Sequence, residues 1–178
     1  MPLSTYPRSH VPDLADLNRA PAGELRPRLL ALTTAPQWAD ALITGRPYAD
    51  LDALLDTSDE LIRSLAESQV DAALAGHPRI GESSEGLDHE SALRSAGEQA
   101  GMADADTATR DAIARGNVAY EEKFGRIYLA AAAGRSADEL LALLRDRLVH
   151  DPARELDVVR RELARITRLR LQDSWGDR

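Results

Sequence analysis

His77 stands directly before Pro78. A side chain that exchanges protons near neutral pH is thus set on backbone pushed out of the helical region. A loop histidine of this kind suits general acid–base work. It also suits a plain cap or a surface position, and the residue alone does not choose. Ser95, Glu98 and Gln99 fall at i, i+3 and i+4, which is one face of a helix. They would bring together a hydroxyl, a carboxylate and an amide, suited to a small heterocycle rich in N–H and C=O groups. The same trio also makes an ordinary solvated face. Arg170 is the third feature. Leu156, Val159, Leu163 and Ile166 step by three and four residues, and the next place in that series is Arg170. A guanidinium on an apolar stripe must find an anion or reach outward, because an unpaired buried charge is very costly. A carboxylate ligand would suit its planar fork, unless the stripe has already met solvent at that point.

The elements that must position these groups read as helices. A short one runs from near Pro12 to about Arg19, another covers Glu24 to Leu32, and a third starts near Gln37. Thr57-Ser58-Asp59-Glu60 has capping-box spacing and is expected to open a longer helix through Leu61, Ile62, Leu65 and Leu74, stopping by His77. Residues 77–90 read as a loop and Ser91 to Gly101 as a helix. The next helix spans Thr107 to Phe124 and ends at Gly125, a usual stop residue; Ile113, Asn117, Tyr120 and Phe124 share one of its faces. Residues 126–133 form a short apolar run that periodicity does not assign. Ser136 with Glu139 makes a second capping box, for a helix to about Val149. Pro152 fits the first turn of a last helix reaching about Asp173.

Composition agrees with an all-α protein. Aromatics are scarce, at one Phe, two Trp and four Tyr, where a β-sandwich or barrel wants more aromatic and β-branched residues. The 178 residues suit a single compact, bundle-like domain of about eight to nine helices. Its expected extent is 12–174, after a flexible N-terminal arm over 1–11. A net charge of −8 argues against nucleic acid as a partner. There is no cysteine, which removes disulfides, thiolate catalysis and Cys-ligated zinc. His10, His89 and His150 stand at no metal-ligand spacing, so no metal is expected. No P-loop, GxGxxG or GxSxG motif occurs. No apolar run could span a membrane, and the first ten residues lack the apolar stretch of a secretory leader. A cytoplasmic protein is the expectation.

In order along the chain, the motifs resemble those of the OHCU decarboxylases, the 2-oxo-4-hydroxy-4-carboxy-5-ureidoimidazoline decarboxylases. Trp38 and Arg46-Pro47-Tyr48 look like the family's early Trp and RPF/RPY element. His77-Pro78-Arg79-Ile80-Gly81 looks like its HPxLG loop, and Ser95-Ala96-Gly97-Glu98-Gln99 like its SxxEQ helix. Asn117, Tyr120 and Phe124-Gly125 match NxxYxxxFG, Gly134-Arg135-Ser136 the GRS turn, and Leu169-Arg170-Leu171 the terminal RL. The resemblance covers about 14–172. It departs at Met102, where many members carry Leu, and at Arg126-Ile127-Tyr128, where FPF is common. It implies an all-helical homodimer, free of metal and organic cofactor, that decarboxylates this small molecule to (S)-allantoin in urate degradation. His77 and Glu98 would be catalytic. Pro78, Ser95, Gln99 and Arg170 would bind substrate, as would Tyr128, Leu129, Ala130, Ala131 and Ala132 through their backbone.

Two other readings share these periodicities. A helical adaptor without catalysis would show an exposed apolar groove instead of a polar hollow. A lyase of a related ureido compound would differ in the 126–132 segment.

Overall fold

The computed structural model describes residues 13–81, 100–102 and 105–176. Among them are eight α-helices and no strand. They are α1 (Leu14–Arg19), α2 (Ala22–Leu30), α3 (Pro36–Thr44), α4 (Leu51–Arg63), α5 (Glu67–Leu74), α6 (Thr107–Phe124), α7 (Ala137–Arg147) and α8 (Pro152–Trp175), with a 3₁₀ turn at Ala100–Met102. The all-α reading holds.

Helix starts follow side-chain caps. Asp13, Asp50, Asp106, Ser136 and Asp151 each accept a backbone N–H of the following turn, which satisfies donors that a helix start leaves without partners. The Ser136–Glu139 capping box is present. Gly125 ends α6 with φ +69°, in the left-handed region where glycine carries no Cβ penalty.

One expectation fails. Thr57 to Glu60 does not open a helix, because Asp50 has already capped α4 and the box lies inside it. Thr57 turns its hydroxyl back to the Ala53 carbonyl, and the buried Ser58 accepts the Trp38 indole N–H at 3.0 Å. Nor is the helix continuous to His77. It stops at Arg63, and α5 begins at Glu67.

Two apolar clusters form the interior. The larger joins α1 to α5 with α8, and the smaller joins α6 and α7. Helix α4 lies along α8, and α6 along α7. The 126–133 run passes between the clusters. Leu129 and Ala131 enter the first, while Tyr128, Ala130 and Ala132 enter the second. That period of two belongs to an extended chain, which explains why helical periodicity left the segment unassigned.

The Arg46-Pro47-Tyr48 element is a clasp. Arg46 donates to the carbonyls of Leu17, Ala20 and Ile43. Asn18 and Tyr48 exchange side-chain-to-backbone bonds at 2.9 Å. These bonds tie α1 and its C-terminal cap to the end of α3.

Candidate active site

The loop after α5 carries His77, and three contacts fix its path. Asn117 on α6 donates to the Ile80 carbonyl at 3.0 Å. Glu121, one turn on, accepts two N–H groups of Arg79, one of them at 2.9 Å. This bidentate pair holds the Glu121 carboxyl below its ordinary range. Gly81 closes the turn with φ +86°. The Asn and the residue after the Tyr of the NxxY element therefore serve the HP loop directly.

His77 is engaged at both ring nitrogens. Nδ1 lies 3.1 Å from the Ala73 carbonyl oxygen, which can only accept, so Nδ1 carries the proton. Nε2 lies 3.2 Å from Arg170 Nη1, which can only donate. These two contacts fit the tautomer with the proton on Nδ1 and the Nε2 lone pair toward Arg170.

Arg170 is buried, at 6% exposure. Its Nη1 also donates to the Leu32 carbonyl at 2.6 Å. The stripe of α8 has not met solvent at this point, since Leu171 and Trp175 beyond it are buried as well. The arginine of the last helix thus meets the histidine of the HP loop across 93 residues of sequence.

His77, Pro78 and Ile80 line a partly open hollow with Leu129, Ala130, Ala131, Ala132 and Ala133, closed below by Ile166 and Leu169 of α8. His77, Pro78 and four of the five expected backbone residues are therefore together. Tyr128 does not line the hollow. Its ring packs edge-on against Tyr120 and its hydroxyl donates to the Leu140 carbonyl; burial pushes this phenol up to about 12. Ser95, Glu98 and Gln99 lie outside the described residues. Gly101, in the 3₁₀ turn at Ala100–Met102, meets the Arg135 carbonyl so closely that a Cβ would stand 1.9 Å from its oxygen. That 3₁₀ turn therefore abuts the GRS turn, next to the wall formed by 129–133.

Sequence reasoning passed over the groups behind that wall. Arg147, Glu155 and Tyr120 are buried. Arg147 donates to Glu155 Oε1 through Nε at 2.7 Å and to the Leu129 carbonyl through Nη1. Tyr120 donates to Glu155, whose second oxygen lies 2.8 Å from His150 Nδ1. Glu162 on α8 accepts the Ala131 N–H at 2.7 Å and pairs with Arg135. The signal existed. Arg147 follows Leu140 and Leu144 by helical steps, and Glu155 precedes Val159 by four, so each is a charge on an apolar face, like Arg170.

Among the described residues no group of three His, Cys, Asp or Glu side chains could hold a metal ion. No described helix is long and apolar enough to cross a membrane.

Fold and hollow define the class: a helical protein with an imidazole and a peptide segment at one small hollow, and a buried guanidinium bonded to that imidazole. The family model described as OHCU decarboxylase matches residues 18–172. The chain belongs to this family of carboxy-lyases.

Its relatives agree. The chain is 32% identical over 143 residues to the 2-oxo-4-hydroxy-4-carboxy-5-ureidoimidazoline decarboxylase of Amia calva, covering 78% of this chain and 79% of that protein. It is 28% identical over 144 residues to the uric acid degradation bifunctional protein TTL of Arabidopsis thaliana, covering 80% of this chain. The match spans only 44% of that longer protein. A crystal structure of OHCU decarboxylase in the presence of (S)-allantoin shares the fold, with a TM-score of 0.71 at 22% identity over 84% of this chain and 98% of the other. A crystal structure of (S)-allantoin synthase gives 0.70 at 18% identity, over 92% of this chain and 54% of the other.

Proposed function

We propose that this chain decarboxylates 2-oxo-4-hydroxy-4-carboxy-5-ureidoimidazoline to (S)-allantoin, with His77 handling the proton. The observation that carries the reading is the meeting of His77 Nε2 and Arg170 Nη1, 3.2 Å apart, at a hollow walled by residues 129–133.

The substrate supplies its own electron sink. One ring carbon bears both the carboxylate and a hydroxyl, and its neighbour is an imine-type carbon carrying the ureido group. When the bond to the carboxylate breaks, CO₂ leaves. The electron pair forms a double bond between the two ring carbons, and the imine nitrogen takes up a proton. The enol so formed loses its hydroxyl proton as the ureido carbon gains one, giving the ketone of allantoin. Delivery of that last proton to one face sets the handedness of the product.

His77 is the group to move it. Nδ1 is anchored on Ala73 and Nε2 is the basic atom. General acid–base catalysis of this kind is worth about 10²–10⁴-fold. Arg170 stands beside it to hold the anionic carboxylate. Pro78 and the backbone of Leu129 to Ala132 shape the cavity, with Tyr128 fixing the start of the segment. Glu98 would orient His77 or bond the ureido group, while Ser95 and Gln99 would hold ring amides; these three assignments rest on the family motif. The reading includes a homodimer, the cytoplasm and no cofactor.

The test is to generate the intermediate freshly from urate and follow optical activity with and without the protein. Rapid appearance of one allantoin enantiomer is expected. Racemic product at the spontaneous rate would overturn the assignment.

A further inference from the structure

The extended segment at the hollow has two unlike edges. In an extended chain the N–H and C=O of one residue point to the same side, and those of the next residue to the other. Leu129 and Ala131 therefore share an edge. That edge is bonded by side chains from two helices: the Leu129 carbonyl accepts Arg147 Nη1, and the Ala131 N–H donates to Glu162 Oε2 at 2.7 Å. Neither Arg147 nor Glu162 lines the hollow. On the other edge lie Ala130 and Ala132, both about 5% exposed. The Ala132 carbonyl takes the Arg135 N–H at the turn. Among the described residues, the N–H groups of Ala130 and Ala132 have no acceptor.

We propose that Glu162 and Arg147 are positioning residues that clamp the odd-numbered edge of 129–132 and so aim the Ala130 and Ala132 N–H groups into the hollow. The proposal rests on the functional reading above and deepens it. A buried donor without a partner is costly, and an alanine wall has no side-chain hydrogen bonds to fix its own register. Arg147 is itself anchored by Glu155 and Tyr120. Glu162 carries a second load in Arg135, at 3.1 Å. A clamp set on the far side leaves the near side free to read carbonyl and carboxylate oxygens of a small heterocycle. The register then decides where those oxygens sit relative to His77.

Three variants separate this role from general stability. Glu162→Ala removes the acceptor of the Ala131 N–H. Glu162→Gln keeps an oxygen there but no charge. Arg135→Met removes the ion pair and leaves the Ala131 bond. Two measurements apply to each: amide exchange at Ala131 by NMR, and kcat/KM on the freshly generated intermediate. Glu162→Ala should speed Ala131 exchange at least about tenfold. It should lower kcat/KM by about ten- to a hundredfold, the scale of a small misplacement at a reacting centre. Glu162→Gln should recover most of both, and Arg135→Met should stay near the parent. Unchanged exchange in Glu162→Ala would overturn the proposal. So would faster exchange with parent-like kcat/KM, or equal losses in Arg135→Met. A parent protein inactive on the intermediate overturns the functional reading and the substrate role with it; the exchange result still decides whether Glu162 holds the wall.

Discussion

His77 is held at both ring nitrogens, and its two partners differ in kind. The Ala73 carbonyl demands a proton on Nδ1, while the Arg170 guanidinium demands a lone pair on Nε2. Nitrogen NMR of the ring at neutral pH should therefore show a protonated Nδ1 and a bare Nε2; the opposite tautomer would contradict this arrangement. Arg170→Lys tests the partner. Lysine offers a point charge without the planar fork. It cannot span the Leu32 carbonyl and His77 together and still present a second N–H to a carboxylate. A fall in kcat/KM of at least about tenfold is expected, the scale of one lost charged hydrogen bond. Parent-like kinetics would make Arg170 a structural residue alone. Its burial was legible because a charge interrupted an apolar series, although the sequence left solvent as an equal alternative. Arg147 and Glu155 gave the same kind of signal on α7 and α8. They were harder to see because each stands at the end of its stripe, where a charge usually means solvent.

At the scale of elements, the Ser136 cap and the Gly125 stop were the readable part, while the Asp caps were not singled out. Ser and Gly at helix ends act through bonds to the adjacent turn, so their meaning is local. The Thr57–Glu60 box misled for the same reason: its residues satisfy the local pattern, but Asp50 had capped the helix about two turns earlier, and Ser58 serves Trp38 from another helix. The wall at 128–132 was unreadable as helix or sheet, since its partners are side chains of α7 and α8 and no neighbouring strand. Those partners also join elements. Arg147 sits at the end of α7 and Glu155 in the first turn of α8, both almost fully buried. Removing one member of a buried pair strands the other, at about 3–5 kcal/mol. Arg147→Ala and Glu155→Ala should each lose about that much in denaturant unfolding, and the double variant less than the sum of the two. Additive losses would show that the two charges do not act as a pair. Gly101→Ala tests the packing of the 3₁₀ turn on Arg135. The clash is with backbone, which cannot rotate away, so a loss of about 1–3 kcal/mol is expected. An unchanged melting temperature would refute the close approach.

For the whole molecule, the interior determines the response to alkali. Burial raises the phenols of Tyr120 and Tyr128, the latter to about 12 from an unfolded value of 10.0. A raised pKa favours the folded state fully below the unfolded value and loses that contribution as pH climbs through the folded one. Denaturant stability should therefore fall between pH 10 and about 12, with phenolate absorbance appearing as the fold is lost. Ionisation of all four tyrosines near pH 10 in a folded protein would contradict the burial of the second cluster. The architecture as a class was plain from helix-forming composition and period. The convergence of His77 and Arg170 was not, because nothing in spacing relates residues so far apart; the family motifs raised it, and the fold brings the two into contact. What the convergence does is tested most directly by the handedness of product made by His77→Ala, with the fold verified by circular dichroism and the intermediate freshly generated. The account predicts racemic allantoin at the spontaneous rate, against one enantiomer from the parent. A single enantiomer formed by His77→Ala at the parent's rate would contradict it.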